Sequence, residues 1–192
     1  MLINLGIYVA CGLAGFLLAV GLEGLAGGVL LNLPQPLSAI LDFFYIGFPS
    51  GVIGGLLLVL RMGIGGLFVR HGRPKLLNLQ QWAKDIKMPV FLCLLSALSM
   101  FLGGCFLVVG WLTPLAALAI LGSMVFAMFL EMSHGSPFVA QDPFQIPDGQ
   151  YVGPNGQGEP PSYEKAFLYV LILSAIAILG PGAFSLDALL FG

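Results

Sequence analysis

Charge is what this sequence has least of. Its 192 residues include seven Lys or Arg and nine Asp or Glu, and no basic residue precedes Arg61. Only 8% of the chain is charged, against ~25% in soluble domains, so it cannot give a compact body a water-facing surface. A net charge of −2, with no basic face on a folded domain, excludes a nucleic-acid footprint. Cysteine is scarce as well. Cys11, Cys93 and Cys105 stand singly within apolar runs, without C-x-x-C spacing, and read as small buried hydrophobes. No nucleophile–base constellation, phosphate-cradling loop or dinucleotide fingerprint is present. Gly63-Ile64-Gly65-Gly66 lies inside an apolar run with no strand before it.

In place of charge there is hydrocarbon. Apolar residues make up 58% of the chain and the mean hydropathy is +1.00. Several of the apolar runs are about 20 residues long or more, enough to cross ~30 Å of lipid. They extend from Ile3 to Leu31, Phe43 to Val69, Pro89 to Val109, Leu115 to Leu130 and Tyr163 to Leu179. We read an all-α, polytopic membrane protein with five spans. With no charged leader, we expect the first run, within residues 1–36, to be a retained transmembrane helix, closed by Asn32-Leu33-Pro34-Gln35-Pro36.

Five of the seven basic residues (Arg70, Arg73, Lys75, Lys84 and Lys87) fall in the segment 70–88. The positive-inside rule places that segment in the cytoplasm. The N-terminus is then cytoplasmic and the C-terminus lies on the opposite side of a cytoplasmic or thylakoid-type inner membrane. Leu76, Leu79, Trp82, Ala83 and Ile86 share one face of a short helix, opposite Asn78, Gln81, Lys84, Asp85 and Lys87. That pattern suits a helix in the headgroup region, anchored by Trp82 and the basic side chains on lipid. Residues 131–162 hold six prolines, five glycines and four acidic residues and read as a surface loop.

Two charges lie inside spans. A charge at membrane depth costs at least ~2.5 kcal/mol, so Glu23 and Arg61, at similar depth, are expected to pair. The pair locks two helices together or receives an acidic or carbonyl-bearing ligand. His71, where the second span leaves the membrane, either exchanges protons with a quinone headgroup beside Arg61 or belongs to the lipid-binding basic group. His71, His134 and Glu131 show no recognised ligand spacing, and no metal is assigned. Glycines at Gly24/Gly28, Gly51/Gly55 and Gly103-Gly104 are placed for close helix packing.

Three stretches resemble the DoxX family of small membrane proteins. The first is Arg61-Met62-Gly63 with Gly66-Leu67-Phe68, His71-Gly72 and Lys75. The second runs from Gly103-Gly104-Cys105 to Gly110-Trp111-Leu112-Thr113, with Ala116-Ala117 and Met124. The third is Glu164-Lys165-Ala166 with the closing Gly180-Pro181-Gly182-Ala183-Phe184-Ser185-Leu186-Asp187. The resemblance implies a four-helix bundle over residues 37–192, with residues 1–36 as an extra N-terminal helix. Relatives usually have an acidic residue where Met100 stands, and often have arginines where Pro114 and Ala183 stand. The family is similar in part to the small membrane subunit of thiosulfate:quinone oxidoreductase. The expected function is an accessory or structural subunit of a larger respiratory or photosynthetic membrane complex, contacting lipids and other membrane subunits. The alternative is a membrane subunit of a quinone-linked oxidoreductase, with quinone or lipid as the bound small molecule.

Overall fold

The computed structural model of the chain describes residues 45, 47–142 and 160–192. The first expected span, with Glu23, Gly24 and Gly28, lies outside the described residues, as does the 143–159 part of the Pro/Gly-rich loop. Every regular element among the described residues is helical: α1 (Gly51–Leu77), α2 (Leu79–Asp85), α3 (Val90–Val109), α4 (Thr113–Ser133), α5 (Glu164–Leu179) and α6 (Leu186–Phe191).

Helix α1 has 27 residues and is ~40 Å long. It runs two turns past Val69, through Arg70, Arg73 and Pro74, where the sequence suggested that the span ends. Arg and Lys are good helix formers, so a basic stretch marks where hydrocarbon ends and not where the helix must. Asn78 closes α1 by donating its backbone N–H and its side-chain amide to the Pro74 carbonyl, at 3.0 and 3.1 Å. Short α2 follows the expected division of faces. Ala83 is buried and Leu76, Leu79, Trp82 and Ile86 are half-buried, while Asn78, Gln81, Lys84, Asp85 and Lys87 are exposed.

The long helices pack in the order α1 on α3, α3 on α4 and α4 on α5. An edge-on contact between Phe68 and Tyr169, with ring centroids 5.0 Å apart, brings α5 back to α1. Helices α1 and α3 meet almost backbone to backbone. A Cβ on Gly65 would lie 2.6 Å from the Gly104 carbonyl oxygen, and one on Gly104 would lie 2.7 Å from that of Gly65. Gly72 likewise meets the backbone of Phe101. Gly103 faces α4, beside Ile120 and Ala116. Gly51 and Gly55 face open space, with nothing within 4 Å of an added Cβ, so on this helix the tight contacts belong to Gly54, Gly65 and Gly72. Ile64, Phe68, Met100, Leu107, Ala117, Ile120, Leu173 and Ile176 build the core.

Helices α1, α3 and α4 are long and apolar enough to cross a membrane. Large apolar side chains such as Val52, Val59, Phe91, Leu95 and Phe129 cover their outsides, a surface that only lipid or another apolar body solvates well. Helix α5 has 16 residues, ~24 Å.

Candidate functional site

The described polar groups at one end of the bundle converge on the α3–α4 turn. Helix α3 ends at Gly110 in the left-handed region (φ 71°). Trp111 N–H donates to the Phe106 carbonyl at 2.9 Å and Gly110 N–H to that of Leu107 at 3.3 Å. This is a Schellman motif, and the ring contact between Phe106 and Trp111 (centroids 4.7 Å apart) supplies its usual apolar seal. The next residue, Leu112, occupies the N-cap of α4 and has no side-chain oxygen with which to cap it.

Asp187 supplies that oxygen from the far end of the chain. Its carboxylate accepts from Leu112 N–H at 2.7 Å and from Thr113 N–H at 2.8 Å, while its own N–H donates to the Gly110 carbonyl at 2.8 Å. An anion at a helix N-terminus is favoured by the orphan N–H groups and the helix dipole. The Tyr45 phenol lies near the same carboxylate. Burial pushes the Asp187 carboxyl above its ordinary range, and the N–H groups of Thr113 and Leu112 and the Tyr45 hydroxyl pull it back in part. Burial and then the Asp187 charge push the Tyr45 phenol up as well. Asp187 is therefore not solvent-facing, nor does it cap its own helix. Ser185 caps α6, accepting from Ala188 N–H at 3.0 Å, and donates its hydroxyl to the Gly182 carbonyl at 2.7 Å.

Arg61 enters this network from α1. Its guanidinium is fully buried and donates to the Leu107 carbonyl at 3.1 Å and the Phe184 carbonyl at 2.6 Å. It lies close enough to Asp187 to feel that charge. Nε has no hydrogen-bond partner among the described residues. The expected partner, Glu23, lies outside the described residues; those described give Arg61 backbone carbonyls and Asp187. In the sequence Asp187 only closes the third family-like stretch, and its neighbours do not name the α4 turn as its target. The only local hint was Leu112, an apolar residue where a cap belongs.

The other expected site residues sit elsewhere. His71 lies ten residues along α1 from Arg61, ~15 Å by helical rise, with its ring 6.3 Å from that of Phe68. Arg70, Arg73, Lys84 and Lys87 are exposed at that end. Lys75 turns inward instead. Its ammonium lies 4.6 Å from the centre of the Trp82 ring and 3.4 Å from the Met100 sulfur. Met100 thus faces Lys75 and not Arg61. Pro114 is buried in the first turn of α4, and Ala183 ties its N–H to the Pro49 carbonyl at 2.9 Å. No group of three metal-ligating side chains occurs among the described residues.

The DoxX family model matches residues 56–132, from Leu56 in α1 to Met132 at the end of α4. Arg61, Lys75, Met100 and the α3–α4 turn lie inside that stretch, and Asp187 lies beyond it. No curated protein and no solved structure matches the chain. With three apolar helices of membrane-crossing length, the chain is a small integral membrane protein, similar over residues 56–132 to the DoxX family, a match that supports membership of that family.

Proposed function

We propose that this protein is an accessory, structural subunit of a larger respiratory or photosynthetic membrane complex. It crosses the bilayer as a four-helix DoxX-like bundle preceded by one further N-terminal helix, with the basic 70–88 segment in the cytoplasm and the C-terminus on the opposite side. The observation that carries this reading is the commitment of Arg61. Two of its donors are taken by carbonyls of its own chain, and the adjacent Asp187 carboxylate is occupied in capping α4. A group so engaged fastens helices and is poorly placed to grip and release a substrate. The distance along α1 between Arg61 and His71, ~15 Å, is too great for both to hold one quinone ring. Glu23 is proposed to complete the lock by accepting from Arg61 Nε, the donor without a partner among the described residues. The apolar exteriors of α1, α3 and α4 suit contacts with lipid and with neighbouring membrane subunits.

Purification of the full chain in a mild detergent tests the reading. The expected result is co-elution with other membrane proteins in one stable assembly. An isolated chain that carries stoichiometric quinone, lost on Arg61→Lys, would establish the quinone-linked oxidoreductase subunit instead.

A further inference from the structure

A groove of about 390 Å³ opens between α3 and α4, walled by Leu95, Leu118, Gly122 and Phe126. It adjoins a smaller hollow that shares Leu92, Ser96, Ser123 and Phe126 with it and reaches Lys75, Trp82 and Met100. The larger volume falls within the range of sites that hold small organic ligands.

The chemistry along this path is graded. Three serines, Ser96, Ser99 and Ser123, line the groove, and the hydroxyl protons of two of them are spent. Ser99 donates to the Ser96 carbonyl at 2.8 Å, so the 2.6 Å contact between Ser99 and Ser123 is a donation from Ser123. Neither of these two hydroxyls has a donor left for a ligand, and the remaining walls are mainly apolar. The groove suits a hydrocarbon tail. Polarity returns at Lys75, whose ammonium has a thioether and an indole face as its nearest partners. A cation donates only weakly to sulfur, and no carboxylate is bonded to Lys75 among the described residues. An unneutralised ammonium at the end of an apolar slot calls for an anion. Arg70, Arg73, Lys84 and Lys87 surround that end of the bundle and strengthen its positive field.

We infer that the α3–α4 groove is a binding site for an anionic phospholipid, its acyl chain lying along Leu95, Leu118 and Phe126 and its phosphate on Lys75. The inference is independent of the subunit reading, because it concerns a different face and different residues.

The test uses the full chain purified in detergent and titrated with dioleoyl phosphatidylglycerol, with dioleoyl phosphatidylcholine and with inorganic phosphate, read by native mass spectrometry. The expected result is one phosphatidylglycerol per chain, bound about tenfold or more tighter than phosphatidylcholine, and no retained inorganic phosphate. Lys75→Met should abolish the preference between the two lipids, and Lys75→Arg should keep it. Gly122→Leu puts a side chain into the groove at a position where an added Cβ meets nothing within 4 Å, and it should weaken binding of both lipids. Equal affinity for the two lipids, unchanged preference in Lys75→Met, or unchanged binding in Gly122→Leu overturns the site. So does a neutral isoprenoid quinone that displaces phosphatidylglycerol at equal concentration, and so does inorganic phosphate held as tightly as the lipid.

Discussion

The carboxylate of Asp187 caps helix α4 through the backbone N–H of Thr113, 74 residues earlier in the chain, at 2.8 Å. The last short helix of the described structure thereby holds the turn between α3 and α4. Arg61 joins the same assembly from α1 through the carbonyls of Leu107 and Phe184, so three separate parts of the chain share one polar knot.

Replacing Asp187 by Ala should loosen the knot. Two backbone donors at Leu112 and Thr113 lose their acceptor, at a cost of about 1–3 kcal/mol for each buried group left unsatisfied. Thermal unfolding in detergent should show a clear fall in midpoint. An unchanged midpoint would mean that water caps α4 as well as the carboxylate does.

The same carboxyl gives stability a pH dependence. Burial holds its proton more tightly in the folded chain than in the unfolded one. Between the ordinary carboxylate pKa and the raised one, the folded state therefore binds more protons. Stability falls as pH rises through that window and levels off above it. Asp187→Asn removes the titration, so the wild-type margin over this variant should shrink as pH rises from about 4. A margin that grows with pH would show that Arg61 and the α4 dipole outweigh burial.

Arg61→Met keeps the volume and removes the donors. The Leu107 and Phe184 carbonyls lose the guanidinium and Asp187 loses its neighbouring cation. Breaking a buried charged contact in this way costs about 3–5 kcal/mol, which should appear as poor yield or a strongly lowered melting point. Arg61→Lys cannot span two carbonyls as the guanidinium does and should recover part of the loss at most. Full recovery with Lys would reduce the interaction to charge alone.

Two glycines of α1 should behave oppositely. Gly65→Ala drives a Cβ toward the Gly104 carbonyl and should separate α1 from α3, destabilising by about 1–3 kcal/mol. Gly66→Ala meets open space and should be neutral, or stabilising by about 0.5–1 kcal/mol through helix propensity. Parallel melting curves decide it, and similar losses at both positions would refute the packing described.

At Gly110, the left-handed backbone (φ 71°) and the close approach of Arg61 and Ser185 act together. Gly110→Ala should cost more than the ~1–2 kcal/mol of left-handed strain alone, because the methyl group displaces the guanidinium. A loss confined to that strain would indicate that Arg61 moves freely.

The amino-acid order alone settles the class of this protein, three of its long helices and the two faces of α2, because each follows from local quantities. Hydropathy summed over 20 residues decides whether a helix belongs in lipid, and the 3.6-residue period decides which face of Leu79–Asp85 turns inward. The Gly103-Gly104 contact was legible for the same reason, since small residues in an apolar run have few other uses. Gly51 and Gly55 carry the same local signal and face open space, because spacing says nothing of where a partner helix lies. The partners of charged residues belonged to tertiary structure alone. Asp187 and Leu112 are 75 residues apart, and nothing local distinguishes a carboxylate that caps a distant helix from one that caps its own. Met100 meets Lys75 only because the Gly65–Gly104 crossing fixes the register of α1 against α3, and hydropathy, which ignores register, could not place them together.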